Sequence, residues 1–509
     1  MKRPTTWWLP TALILICCGA LLSAPACTPS PKTHATLPGA FVTLWKGAKG
    51  KPLKIPIVGN YTVTWYEATN PQERHTDTVS IAPESDFSFK HPYVFTPPRD
   101  GEYVVEVGPE GVEYMRMGVR DSVDFLFGSR YALLRVLQFG KVRWKSMKGM
   151  FAWCKSMTFA DTIDTPDLSE VRDMQGMFCG CRAFNSPLEH WDVSQVTDMN
   201  SLFTRCESFN QPLEGWNVSQ VKNMGDMFAG CVAFNQPLER WDVSHVTDTN
   251  AMFFYCLVFN QPLEAWDVSH VVDMSCMFCG CDKFNQPLER WDVSHVTDMH
   301  EMFFSCDHFN QPLERWDVSR VTNMSAMFFG CAIFDQPLER WNVGQVKDMC
   351  CMFSLSPFNH PLARWDVCQV TDMSGMFSGC RSFNQPLERW DVSQVTDMGG
   401  MFYGCKAFNH PLGSWNVSRV TDMKEMFASC ISFNQPLAMW DVGRVNDIRG
   451  MFADCTAFNQ PLDQWTLSNG VKLNDAFEAC LARDPPTVKK KLVKRYREEL
   501  FPKQLTLVR

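Results

Sequence analysis

The residues best placed to do chemistry are acidic side chains that recur about every 25 residues, each directly after a tryptophan. In a stack of repeats these carboxylates would lie about 4.8 Å apart and repel one another. Arginine often stands two residues earlier on the same predicted face. The aspartates are Asp242, Asp267, Asp292, Asp317, Asp366 and Asp391, and the arginines are Arg240, Arg290, Arg315, Arg340, Arg364 and Arg389. Two interpretations follow: an interleaved Arg/Asp row that balances its own charge, or a face that binds a polar ligand or Ca²⁺.

Three successive copies have histidine at the same position of the repeat, which we call a column: His245, His270 and His295. Imidazoles at that spacing could hold a transition metal. Gln220 and Arg320 stand in the same column of nearby copies, which favours an exposed, variable position. We therefore predict neither a metal site nor a cofactor. Within the repeats, each Ser, His and Asp is accounted for by its column and there is no glycine-rich phosphate loop, so we predict no catalytic residues and no enzyme.

Cysteine is abundant, but its pattern indicates packing. Of the 22 cysteines, 13 fall in one repeat column, and neighbouring predicted helices would hold them too far apart for disulfides. We expect mostly free, buried thiols, with a bridge among Cys350, Cys351 and Cys368 as an alternative. Cys279-Gly280-Cys281 lacks the second pair that a zinc site needs. The asparagine that follows each repeat's phenylalanine is predicted to form a side-chain ladder.

These columns must be positioned by a repeat that reads Leu-x-x-Trp-x-Val-x-x-Val-x-x-Met-x-x-Met-Phe-x-x-Cys-x-x-Phe-Asn-x-Pro. The Trp-x-Val alternation predicts a short strand. Val221, Met224, Met227 and Cys231 are spaced to share one face of a helix of about three turns. Stacked copies would bury a continuous core. The sequence therefore predicts an α/β solenoid of leucine-rich-repeat type over residues 144–480, with a kink where Trp365 comes one residue early.

The repeat sequence resembles that of the BspA-type leucine-rich-repeat surface proteins of bacteria. The resemblance lies in the motif Phe-Asn-Gln-Pro-Leu-x-x-Trp-Asp-Val-Ser-x-Val-Thr-Asp-Met-x-x-Met-Phe-x-x-Cys. It is closest to their subgroup with 25–26-residue repeats. The resemblance implies surface exposure and binding or adhesion rather than catalysis.

A different pattern precedes the repeats. Short alternating runs separated by Gly and Pro, such as Tyr61–Trp65 and Tyr103–Val107, predict a small antiparallel β-sandwich over residues 39–120. Its last strands resemble those of PKD-like, immunoglobulin-like modules. Residues 121–143 are predicted to lead into the first repeat, and residues 481–509 to form a C-terminal cap with a basic tail.

The N-terminus has the pattern of a targeting segment. Residues 1–26 combine a positive end, a short apolar core and small residues, which is typical of a signal peptide. The segment resembles a bacterial lipoprotein signal in which Cys27 is the lipidated residue; ordinary secretion is the alternative. Residues 27–38 are polar and proline-rich, as in a tether.

Charge and composition limit the partners. A net charge of −8 at pH 7 does not provide the broad basic surface that binds nucleic acid. We therefore expect an exported protein at the bacterial surface, attached to the membrane through lipid, that binds a host or bacterial macromolecule, either protein or polymer. The alternative is a structural spacer of the cell envelope without a specific ligand.

Overall fold

The computed structural model describes residues 37–82, 92–118, 127–468 and 470–478. The predicted signal peptide, the candidate lipidation residue Cys27, nearly all of the tether and the basic tail lie outside the described residues. Within the described part of the chain, no helix has the length and apolar character needed to cross a membrane.

The N-terminal region is built from β-strands. They are β1 (Phe41–Gly47), β2 (Leu53–Ile55), β3 (Ile57–Glu67), β4 (His75–Ile81), β5 (Tyr93–Phe95), β6 (Gly101–Val107), β7 (Val112–Met115), β8 (Leu133–Gln138) and β9 (Thr158–Phe159), and a short helix α1 (Phe127–Arg130) precedes β8. One sheet has the order β4-β3-β6-β1-β8-β9, with β7 also paired to β3, and β2 pairs with β5 in a second sheet. The strands predicted at Tyr61–Trp65 and Tyr103–Val107 are confirmed, within β3 and β6.

The central strand β6 carries a buried charge. Glu106 is fully buried, and its carboxylate accepts hydrogen bonds from Tyr66 Oη at 2.8 Å and from the Leu37 main-chain N–H at 3.1 Å. Arg74 Nη1 lies 3.2 Å from the same carboxylate. Because a buried carboxylate is stable only when it is paired, these contacts hold the strand layer in one arrangement.

The sheet runs directly into the repeats. β8 pairs with β1 in the antiparallel sense, and β9 pairs with β8 in the parallel sense. The N–H of Lys145 donates to the Glu113 carbonyl at 3.0 Å, which links the first repeat to the region of β7. One hydrophobic cluster extends from Phe41 to Ala476, so the strands and the repeats share a continuous core.

Adjacent repeats are joined by main-chain hydrogen bonds. In the repeat that starts at Trp266, used here as the reference repeat, four N–H groups donate to carbonyls of the following repeat, at Met274, Cys276, Phe278 and Gly280. Their donor–acceptor distances are 3.1, 2.8, 2.9 and 2.7 Å. Single parallel bridges such as Asp273↔Asp298 connect successive repeats from Asp173 to Lys472. Alternate main-chain groups thus pair between repeats.

The predicted helix in each repeat is wrong, and with it the α/β solenoid of leucine-rich-repeat type. After β9 the described residues contain neither a helix nor a strand, only turns joined by these bridges. Cys276 and Gly280 have φ of 55° and 72°, and equivalent residues of most repeats are also left-handed. Two left-handed residues within five break a right-handed helix, because helix formation needs consecutive right-handed residues. The ladder also lies at Asp273, and not at the predicted Trp-x-Val strand.

The apolar columns stack ring on ring across the repeats. The Phe278 ring centroid lies 5.7 Å from those of Phe253 and Phe303, and the Trp266 and Trp291 rings are 6.5 Å apart and nearly parallel. These phenylalanines are fully buried. The spacing of apolar residues that predicted a helix therefore marks the positions that face inward in a turn-based coil.

The repeat that is one residue short does not bend the stack, so the predicted kink is wrong. The Trp341 and Trp365 centroids are 6.5 Å apart at 4°, as in regular neighbours, and the bridge Asp348↔Asp372 is intact. Ser356 stands in for the missing cysteine and donates its hydroxyl to the Phe353 carbonyl at 2.7 Å. The deletion is absorbed in the loop because the core columns keep their register.

Candidate functional site

The predicted Arg/Asp face is exposed, but its arginines pair with glutamates. Arg290 Nε lies 3.7 Å from Glu264 Oε1 of the preceding repeat, and Arg315 Nε lies 3.3 Å from Glu289 Oε1. Arg240, Arg340 and Arg364 make the same contact with Glu214, Glu314 and Glu339. Arg389 differs from them because Ala363 stands where the others have glutamate. We call these pairs the Arg–Glu row.

The aspartates beside the tryptophans accept hydrogen bonds from groups of the same turn. Asp242 Oδ1 accepts the Ser244 N–H at 3.1 Å and the Ser244 hydroxyl at 2.6 Å. These hydrogen bonds lower the pKa of Asp242, and the same contacts from serine lower the pKa values of Asp267 and Asp292. Asp317, Asp366 and Asp391 likewise accept the N–H two residues on. Local hydrogen bonds, rather than the neighbouring arginines, stabilise these carboxylates.

Sequence reasoning missed a second acidic column, which lies on the bridge ladder. Asp198, Asp248, Asp348 and Asp397 are half-buried, and burial raises the pKa of each carboxyl group. Each accepts the N–H two residues on through Oδ1, as Asp198 does from Asn200 at 2.9 Å. The recurring Thr-Asp-Met sequence of the repeats could have indicated this column. Among described residues, no group of three or more potential ligands could hold a metal ion.

Asp298 in this column has a histidine and a cysteine nearby. His300 Nδ1 lies 2.8 Å from Asp298 Oδ1, and Cys276 Sγ lies 3.7 Å from His300 Nε2. The hydrogen bond to Asp298, with a second one to Cys276, raises the pKa of His300 to about 10. Burial acts to raise the pKa of Asp298, but the hydrogen bonds from His300 outweigh it and the pKa is lowered. The pair is therefore an ion pair at neutral pH.

The predicted histidine column is exposed. His245, His270 and His295 each lie beside the hydroxyl of the preceding serine, at 3.3–3.5 Å from ring Nδ1 to Oγ. The predicted asparagine ladder is confirmed: Asn285 N–H donates to Asn260 Oδ1 at 3.0 Å, and Gln286 Nε2 donates to the same oxygen. Both columns thus follow from local structure.

The cysteine column packs against the main chain. Cys281 Sγ donates to the Phe253 carbonyl at 2.9 Å, and this contact recurs along the column. No disulfide joins cysteines among the described residues, as predicted. The reason differs from the expected separation of outer helices, because there are no helices in the repeats. Burial raises the pKa of Cys281 and its column neighbours.

Glycine occupies every second position of one left-handed column from Gly180 to Gly379. Tyr255 lies over Gly280, where an added Cβ would come 3.2 Å from the tyrosine ring. Leu355 lies over Gly379 in the same way, at 2.6 Å. The column reads Trp153, Gly180, Arg205, Gly230, Tyr255, Gly280, Ser305, Gly330, Leu355 and Gly379. Glycine in one repeat allows the preceding side chain to lie flat on the surface.

This column belongs to an apolar edge, defined as residues 279–283 of the reference repeat and their equivalents. Most of the exposed large hydrophobic side chains among the described residues lie there: Tyr255, Leu257, Val258, Ile333, Leu355, Tyr403 and Ile431. Between them, the half-buried rings of Phe304 and Phe329 stack at 4.6 Å. Unlike the Arg–Glu row, the edge changes from repeat to repeat; one of its columns reads Glu207, Val232, Leu257, Asp282, Asp307 and Ala332.

A cavity of about 570 Å³ opens at the start of the tryptophan stack. From Trp216 onward each repeat's indole N–H donates to a leucine carbonyl of the preceding repeat, as Trp216 does to Leu188 at 2.9 Å. Trp191 lines the cavity, and its indole N–H has no hydrogen-bond partner in the described part of the chain. Ile163 stands at the equivalent leucine position of the irregular first repeat. Asp161 and Glu189 contribute carboxylates to the same cavity.

Comparison with known proteins places the repeats in a family. A family model described as "Mycoplasma protein of unknown function, DUF285" matches five overlapping stretches: residues 145–265, 233–328, 256–357, 308–402 and 385–487. No curated protein matches the chain. The matched stretches together span about two thirds of the 509 residues and coincide with the turn-based repeats. The chain therefore belongs to the family described as Mycoplasma protein of unknown function, DUF285.

Proposed function

We propose that this chain is a binding protein of the bacterial surface whose repeats contact a macromolecular partner, protein or polymer. The resemblance of its repeat wording to BspA-type surface proteins supports that class of function. The role is one of binding, without catalysis. The observation that carries the proposal is the apolar edge, because exposed apolar side chains gathered along one edge are typical of interaction surfaces.

Partner contact through the apolar edge has a physical basis in its side chains. Tyr255 and Leu355 are 39% and 58% exposed, so each still has apolar surface to bury in a complex. Aromatic side chains supply large contact area at low cost in conformational entropy. The glycine beneath each one leaves room for it to lie against the neighbouring repeat.

The Arg–Glu row is a weaker candidate for the contact surface. Its charges already pair between repeats, and its arginines are about 80% exposed, as for Arg290 at 81%. A partner would have to displace hydrated, internally paired charges for little gain. The row instead favours the alternative function, a structural spacer of the envelope, because uniform paired charges keep a stack of repeats soluble without a ligand.

A binding experiment separates the two functions. The full chain is tested for capture of extracellular-matrix proteins and cell-wall polymers at moderate salt. We expect a Tyr255→Ser/Leu355→Ser variant to lose binding by at least about tenfold, since each lost apolar contact is worth on the order of 1 kcal/mol. The matched control, Arg290→Ser/Arg340→Ser, removes two exposed side chains of the Arg–Glu row and should bind as the unmodified chain does.

Two results would contradict the proposal. Loss of binding only in the arginine variant would assign the interface to the Arg–Glu row. Failure of the unmodified chain to bind any partner in a salt-resistant way would favour the spacer. Surface attachment has a separate test: we propose lipidation at Cys27, so a Cys27→Ala form should no longer partition into detergent, and continued partitioning would refute lipidation.

A further inference from the structure

The thiol groups of two consecutive cysteines lie side by side on the surface of the repeats. Cys350 Sγ and Cys351 Sγ are 3.5 Å apart, and both residues are half-buried. Cys351 has φ of 56°, and this left-handed conformation accompanies a same-side arrangement of the two thiols. The Ser374 hydroxyl of the next repeat donates to Asp372 Oδ1 at 2.6 Å, and its Oγ lies 3.2 Å from Cys350 Sγ.

This pair differs from the other thiols of the described chain. Fourteen of the 18 described cysteines are buried, and most of these donate to main-chain carbonyls, as Cys281 does. Cys276 and Cys368 are half-buried, but Cys276 contacts His300 and Glu301, and Cys368 contacts Gln369. The hydrogen bond between Cys350 and Cys351 lowers the pKa of the Cys350 thiol, despite burial and the nearby carboxylates of Asp348 and Asp372.

The geometry suits a shared bound atom better than a disulfide. A disulfide needs sulfurs about 2.05 Å apart and Cα atoms beyond about 4.4 Å, whereas consecutive Cα atoms are about 3.8 Å apart. A bridge between Cys350 and Cys351 would therefore be strained. An atom that bonds each sulfur at about 2.3 Å would instead need an S–X–S angle of about 100° for sulfurs 3.5 Å apart, a relaxed value for a trivalent or tetrahedral centre.

We propose that Cys350 and Cys351 form a dithiol site that binds a thiophilic trivalent centre, such as an arsenic(III) compound, through both sulfurs at once. With an organoarsenical R–As(OH)₂, each thiol gives its proton to one arsenic-bound hydroxyl. Two As–S bonds form, two As–O bonds break and two water molecules leave, with no change of oxidation state. The site does not depend on the proposed surface-binding function.

The test uses the full chain with Cys17→Ser and Cys18→Ser, so that no second pair of consecutive cysteines is present. Phenylarsine oxide is added to the folded protein, and the complex is analysed by intact mass and by iodoacetamide labelling. We expect one equivalent to bind, to protect Cys350 and Cys351 from alkylation, and to be released by a dithiol but not by a monothiol. Cys350→Ser and Cys351→Ser should each weaken binding by at least about 100-fold, because the second bond becomes impossible.

A variant that keeps both cysteines tests the geometry itself. An alanine Cβ at Gly375 would come 2.8 Å from Cys351 Sγ, so Gly375→Ala must move that sulfur and should weaken binding at least about tenfold. Alanine is accepted at this left-handed column, as at Ala326. The matched control is Gly400→Ala, one repeat later, where the added Cβ would meet only Tyr403 Cβ at 3.9 Å.

Three results would overturn the proposal. The first is a Cys17→Ser/Cys18→Ser chain that binds no arsenical or binds it at Cys276 or Cys368. The second is a Cys351→Ser variant of that chain that binds as tightly as the chain with Cys351 intact. The third is equal binding by the Gly375→Ala and Gly400→Ala proteins, since the paired sulfurs would then have no part in recognition.

Discussion

The indole Nε1 of Trp291 donates a 2.9 Å hydrogen bond to the main-chain carbonyl of Leu263 in the preceding repeat. The same contact recurs from Trp216 to Trp465. Successive repeats are therefore joined by a side-chain hydrogen bond as well as by the main-chain bridge ladder. We expect Trp291→Phe to lower the free energy of unfolding by about 1–3 kcal/mol, because the buried ring loses volume and the Leu263 carbonyl, which also accepts the Trp266 N–H at 3.1 Å, loses its second donor. Denaturant titration, with hydrogen exchange at neighbouring repeats, measures the loss.

Trp191→Phe is the matched control for this prediction. The Trp191 indole N–H has no partner among the described residues, and its ring is also buried, at 6% exposure. Both substitutions shrink a buried aromatic ring, so their difference isolates the hydrogen bond. Equal destabilisation by the two variants would show that the indole hydrogen bond contributes nothing beyond packing.

The left-handed positions predict an unusual stabilising substitution. Ala326 has φ of 52°, a conformation that costs an L-residue about 1–2 kcal/mol and glycine almost nothing. Ala326→Gly should therefore leave stability unchanged or raise it by up to about 1 kcal/mol, after the greater entropy of the unfolded chain is subtracted. Ala233→Gly, at a position outside the left-handed set, should lower it by about 0.5–1 kcal/mol. Urea unfolding of both variants tests this, and the opposite order would contradict it.

The His300–Asp298 pair predicts a pH dependence. The pKa of His300 is raised to about 10 in the folded chain, above its ordinary value of about 6.5. The folded state therefore binds a proton more tightly than the unfolded state. The resulting stability is fully present below about pH 6.5 and is lost as pH rises through about 10.

Thermal unfolding of His300→Gln across pH 5–11 tests this sign. The deficit relative to the unmodified chain should be largest at the acid end and should fade toward pH 10. His295→Gln, at an exposed histidine, is the control for loss of an imidazole as such. A deficit that grows with pH would contradict the ion pair, and so would an NMR titration of His300 near 6.5 in the folded chain.

Glu106 in β6 predicts a large effect from a small change. Its buried carboxylate is held by Arg74, Tyr66 and the Leu37 N–H, so Glu106→Gln removes the negative charge that these three groups contact. We expect a loss of roughly 1.5–3 kcal/mol, the range for hydrogen bonds to a charged group, because the Arg74 side chain is 29% exposed and stays hydrated. Glu102→Gln, exposed on the same strand, should change stability by less than about 0.5 kcal/mol. Similar losses in the two variants would refute the special role of Glu106.

The columns of the repeat were readable from sequence because burial imposes a fixed period. Trp266, Phe278, Cys281 and Phe284 recur at constant spacing, and each lies in the continuous core. The asparagine ladder and the free thiols were also predicted correctly, as were the main strands of the N-terminal region. Hydrophobic pattern and β-propensity are local properties, so the sequence alone carries them.

The hydrophobic pattern could not predict which side chains pair between repeats. Arg290 could have met Asp267 or Glu264, and only the stacked structure shows that it meets Glu264. The apolar edge could not be predicted from the period, because its apolar residues do not recur in every repeat. The contact between Cys350 and Cys351 depends on the backbone conformation at Cys351, which residue order does not report.

By itself, the sequence determined the 25-residue period, the inward-facing residues and the β-rich N-terminal region. Only the tertiary structure decided how the main chain runs between the core positions. A spacing of three to four residues fits a helix, but it also fits a coil with left-handed residues at positions such as Cys276 and Gly280. In that coil, alternate N–H groups pair with the next repeat, so neighbouring repeats supply hydrogen bonds that a helix would make within itself.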